Sequence, residues 1–88
     1  MDQLKKLRNE VDAIDDELIA LVEARIGVVK KIRDIKKRNN FNIKDNEREE
    51  ALLQELIKRG ESKGIDKRII IKIWKALFEL SYQIERGK

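Results

Sequence analysis

Apolar residues recur along the first forty positions in two interleaved ladders. Leu4, Val11, Leu18 and Ile32 lie on one, and Leu7, Ile14, Leu21, Val28 and Ile35 lie on the other, three positions out of phase. Steps of seven offset by three are the a and d positions of a heptad repeat, so the pattern predicts one helix from about residue 3 to residue 37. At 1.5 Å per residue it is roughly 50 Å long. The rest of an 88-residue chain is too small to cover such a seam, and a second copy of the same helix, running antiparallel, is the expected partner.

Asp2 is placed to cap that helix, and Asn39, Asn40 and Asn42 mark its end and a loop. Asp45 then reads as the N-cap of a second helix, with Glu47, Glu49 and Glu50 in the first turn, where carboxylates suit the helix dipole. Leu52, Leu53, Leu56 and Ile57 form its apolar stripe, and Gly60 is expected to stop it, with Gly64 in the following loop. Asp66 caps a third helix running to about Arg86, whose stripe is Ile70, Ile73, Trp74, Leu77, Phe78, Ser81, Ile84 and Glu85. The pattern contains no internal repeat and no linker. The expected fold is all-α: three helices, one long and two shorter, in a single domain spanning 1–88, with two protomers intertwined as a homodimer.

Composition narrows the chemistry. Charged residues make up 43% of the chain and apolar ones 41%, too many apolar for a disordered tail. Proline, cysteine and histidine are absent. That excludes disulfides, Cys/His zinc sites and Cys or His catalysis, and no metal or cofactor is expected. With no membrane-length apolar run and no signal peptide, a cytoplasmic protein with no membrane contact is expected. The net charge of +4 is a mild bias towards anions. Basic residues are interspersed with acids and stacking aromatics are few, which argues against nucleic acid as the partner.

Candidate chemistry sits where the apolar pattern is interrupted. Arg25 occupies an a position between Leu18 and Ile32. A guanidinium there is a register-setting polar residue, the partner of a buried carboxylate, or part of an anion site. Lys36, eleven residues on, points the same way about 16 Å along the axis. The two could hold a small anion between them, although a lysine beside a seam is ordinarily a solvated flank. Arg8 also flanks the seam, far from Lys36 in its own chain. An antiparallel partner would bring its Arg8 alongside Arg25; otherwise Arg8 is a surface arginine. Arg48 and Glu49 border the second helix's stripe, where an ordinary charged first turn is the plainer alternative. Ser81 and Glu85 continue the third helix's apolar face, as either a wet helix end or an inward polar pair. Several cations, one or two carboxylates and a hydroxyl on inward faces suit a small polyanion. They include no nucleophile–base pair and no phosphate-cradling glycine loop. Any reaction there would rest on positioning and electrostatics.

These residues resemble a known family, the small all-helical chorismate mutases. The resemblance is carried by Leu7-Arg8-Asn9-Glu10-Val11-Asp12-Ala13-Ile14-Asp15, by Leu18-Ile19-Ala20-Leu21-Val22-Glu23-Ala24-Arg25, and by Asp45-Asn46-Glu47-Arg48-Glu49 before Leu52-Leu53. It covers nearly the whole chain. It implies an isomerase of aromatic amino acid biosynthesis that rearranges chorismate to prephenate within an intertwined dimer. By similarity, Arg25 and the partner's Arg8 would clamp the two substrate carboxylates, and Lys36 would contact the ether oxygen and a carboxylate. Arg48 would add positive charge, and Ser81 would help hold a carboxylate. Glu49 and the backbone at Asp45 would bind the ring hydroxyl, with Ile32 and Phe78 as apolar walls. A chain this short is expected to be monofunctional.

Glu85 departs from a common version of the family pattern, which has a glutamine facing the ether oxygen. A glutamine amide always donates, whereas a carboxylate donates only when protonated. The expectation is that Glu85 acts as the acid. Two other readings stay open: an isochorismate- or aminochorismate-acting enzyme on the same scaffold, and a non-catalytic helical dimerisation module.

Overall fold

The computed structural model of the chain describes residues 2–42 and 44–87. Among the described residues there are three helices and no strand: α1 (Asp2–Asn39), α2 (Asn46–Ser62) and α3 (Lys67–Glu85). The expected all-α class holds. α1 begins at Asp2 and extends two residues beyond the heptad pattern. No helix among them is long and apolar enough to cross a membrane.

The helix ends are set by local chemistry. Asn40 adopts φ 58°, a left-handed conformation that asparagine tolerates. The Phe41 N–H then reaches the Lys36 carbonyl at 3.0 Å, satisfying one of the orphan carbonyls of α1. Asp45 Oδ1 accepts from Arg48 N at 3.1 Å, and Asp66 Oδ1 accepts from Arg68 N at 2.7 Å, so two of the three expected N-caps are in place, while Asp2 is itself the first residue of α1. The Arg68 side chain and then its N–H hold the Asp66 carboxyl below the usual range.

Gly60 is not the stop that the pattern predicts. α2 continues to Ser62, and the turn is made by Gly64 at φ 79°. The Gly64 N–H bonds the Glu61 carbonyl at 3.1 Å, and the Ile65 N–H bonds that of Gly60 at 2.9 Å, the paired closure of a helix ending on a left-handed glycine. Gly60 instead lets α3 approach: a Cβ there would lie 2.8 Å from both Cγ1 and Cδ1 of Ile70.

α3 packs on both other helices. With α2 it forms a small core of Leu53, Ile57 and Ile70, flanked by Leu56, Ile71 and Trp74. Against α1 it meets the face bearing the buried Val29 and the half-buried Val22, Arg25, Ile26, Arg33 and Lys36. That face overlaps the heptad seam only at its edge, at the a positions Arg25 and Ile32. Leu7, Ile14, Leu18, Leu21 and Val28 all stay more than half exposed. The single chain is accordingly drawn out to 57 × 25 × 16 Å with a radius of gyration of 16.5 Å, against about 12 Å for a compact domain of this length.

Candidate active site

The C-terminal half of α1, the start of α2 and the end of α3 enclose a cavity of about 210 Å³. α1 contributes Arg25, Val29, Ile32 and Lys36, spaced to fall on one side of the helix. The α2 N-terminus contributes Asp45, Arg48 and Glu49, and α3 contributes Phe78, Ser81, Tyr82 and Glu85.

The polar groups are already held in place. Arg25 Nη1 donates to Ser81 Oγ at 2.7 Å and to the Leu77 carbonyl at 3.2 Å, while the Ser81 hydroxyl donates to that same carbonyl at 3.0 Å. The guanidinium therefore leans off the seam towards α3. Burial first, and the positive charge of Arg48 second, push the Arg25 pKa below its usual value. It stays charged across the ordinary pH range, and two cations facing one cavity favour an anion between them. Lys36 Nζ lies 2.7 Å from Glu85 Oε1, whose side chain is only 7% exposed. No other donor reaches that oxygen among the described residues. Across the cavity, the Tyr82 hydroxyl donates to Glu49 Oε2. Burial first, and that hydrogen bond second, raise the Tyr82 pKa to about 12.

Nine of the ten expected site residues thus line one cavity, although Arg25 and Ser81 lie 56 positions apart. Arg8 does not join them. It sits exposed on the N-terminal half of α1, outside the cavity of its own chain. Among the described residues no group of acidic side chains is arranged to hold a metal.

Residues 7–86 match the family model described as chorismate mutase type II. The chain belongs to this family. It is 27% identical over 86 residues to the chorismate mutase of Methanocaldococcus jannaschii, covering 98% of this chain and 87% of that protein. It is 36% identical over 58 residues to a bifunctional chorismate mutase/prephenate dehydratase of Aquifex aeolicus, covering 66% of this chain and 16% of that protein. To the T-protein of Haemophilus influenzae it is 34% identical over 85 residues, covering 97% of this chain and 22% of that protein. The chain therefore spans only about a fifth or less of the two longer relatives' length.

In this chorismate mutase type II chain, sequence reasoning missed two cavity residues. Val29 lies one turn after Arg25 but off the a and d ladders, so a search along the seam passes over it. Tyr82 follows Trp74 and Phe78 at steps of four, a spacing that was available as a signal.

Proposed function

We propose that this chain rearranges chorismate to prephenate, as an isomerase acting without a cofactor, and that it does so as a homodimer. The supporting observation is the convergence of Arg25, Lys36 and Arg48 on one small cavity. In this reading the reaction is intramolecular, so the site has to select a compact conformer of the flexible substrate and stabilise charge on the departing ether oxygen. Guanidinium forks suit the two carboxylates, and Lys36 supplies a point charge at the ether oxygen. Glu49 and the backbone at Asp45 take the ring hydroxyl. Phe78, buried, and Ile32, exposed in the single chain, form the apolar walls.

Charge balance supports two further parts of this reading. Within one chain, the cavity's Arg25, Lys36 and Arg48 are matched by Asp45, Glu49 and Glu85, so the fully ionised set is neutral. A dianionic substrate then calls for about two more positive charges in a site of low dielectric. The partner's Arg8 supplies one. A proton on Glu85 would supply the other, and the acid would donate to the ether oxygen as a glutamine does. The dimer itself is supported by the exposed seam of α1.

The test is chorismate consumption with the product identified, for wild type and Arg25→Ala together, with folding checked by circular dichroism. Prephenate formation with a loss of at least about 100-fold in the variant, the scale of removing one transition-state donor, is the expected result. Chorismate left intact by the folded wild type overturns the reading, and release of pyruvate instead of prephenate would move it to a lyase on the same scaffold.

A further inference from the structure

Glu49 lines two spaces at once. One is the 210 Å³ cavity, and the other is a wider groove of about 660 Å³ between α2 and α3. Tyr82 and the buried Phe78 line both as well, so Glu49 and Tyr82 form the polar part of the partition between them. Glu49 is on the first turn of α2 and only half-buried. A glutamate side chain there has several open rotamers, some of which would carry the carboxylate towards the groove and away from a bound ligand.

We infer that Tyr82 is a positioning residue: its hydroxyl holds Glu49 Oε2, so that the other carboxylate oxygen is the one left to accept the ring hydroxyl of the substrate. The inference rests on the mutase reading, because that reading gives Glu49 its ligand. Tyr82 is well placed for the role. Its ring is anchored on α3 one turn beyond the buried Phe78. Lys44 Nζ lies over the ring face, 5.6 Å from its centroid, an attractive cation–π arrangement. The raised pKa, about 12, keeps the phenol protonated and therefore a donor over the whole working range. A fixed carboxylate with one oxygen occupied also sets specificity. It offers a single well-directed acceptor to a hydroxyl, and a substrate lacking that hydroxyl leaves it unmatched.

The test uses Tyr82→Phe, which keeps the ring and removes the hydroxyl. The expected result is a rise of about three- to tenfold in KM for chorismate, the scale of one hydrogen bond, with kcat changed less than about twofold. In a Glu49→Ala background the same substitution should add nothing further. Tyr82 is the only tyrosine in the chain, so its ionisation can be followed by absorbance without ambiguity. The midpoint should lie near 12 in wild type and fall towards the ordinary tyrosine value in Glu49→Ala. Unchanged KM in Tyr82→Phe, or an effect that persists undiminished without Glu49, overturns the inference, and a lowered melting temperature with unaltered kinetics would make Tyr82 a strut only. Failure of the wild type to consume chorismate is a different result. It overturns the functional reading first, and the binding role of the pair with it.

Discussion

Glu85 is the residue whose chemistry departs furthest from an ordinary helix position. It is a buried carboxylate on an otherwise apolar stripe, and its side chain is compensated by Lys36 across the α1–α3 contact. The groups facing its cavity are Lys36, Arg25, Asp45, Arg48, Glu49 and its own neighbour Tyr82. If the reaction uses the acid, bound substrate has to bring a proton with it. The sign follows directly: the protonated fraction falls as pH rises, so kcat/KM of the wild type should fall from acid towards neutral pH. Glu85→Gln donates at every pH and should show a flat profile over the same range. Parallel profiles for the two proteins would show that Glu85 is not the acid. The presence of a carboxylate at this position is legible in the sequence; its pairing with Lys36, 49 positions away, is not, because no local pattern records which cation a fold will bring across.

The elements are governed by rules that act over one or two turns. Heptad spacing, the Asp45 and Asp66 caps and the charged first turn of α2 all predict helices that the structure contains. Gly60 shows where those rules stop. A glycine near a helix end reads as a terminator, yet this one is needed for close packing of α2 on α3, and the turn belongs to Gly64. Gly60→Ala would gain up to about 1 kcal/mol of helix propensity. It would also force a methyl to 2.8 Å from Ile70, a residue only 4% exposed, and overpacking of this kind costs about 1–3 kcal/mol. A net loss of about 1 kcal/mol is expected from denaturant titration. Ile70→Ala removes both Cγ1 and Cδ1, so the double variant should be more stable than the two separate losses predict. Strict additivity would show that the methyl does not meet Ile70.

At the scale of the whole molecule, the open question is what covers α1. Val28, Leu21 and Leu18 are each more than half exposed, and α3 meets the helix on a face that overlaps the seam only at Arg25 and Ile32. Covering such side chains stabilises an assembly by on the order of 1 kcal/mol each, and an antiparallel second copy would cover the whole seam with its own. The proposed site depends on that copy for Arg8, which yields a mixing test. Arg8→Ala and Arg25→Ala should each be nearly inactive alone. If each site combines one chain's Arg25 with the partner's Arg8, subunit exchange between the two variants creates heterodimers with one complete site, and random mixing should restore about a quarter of wild-type activity. No recovery after demonstrated exchange would place Arg8 outside the site.

The number and order of the helices, the caps that open α2 and α3, and the residue types available for an anion site are determined by the sequence alone, because caps, heptads and dipole preferences act between residues a few positions apart. The tertiary structure decided which face of α1 meets α3. That choice turned Arg25 onto Ser81 and left the heptad seam open. It also set Lys36 on Glu85, joined Tyr82 to Glu49 and gave Gly60 its purpose. Each of these pairings links positions on different helices. They depend on how three apolar surfaces fit together, and a periodic pattern along one chain carries that information only in part.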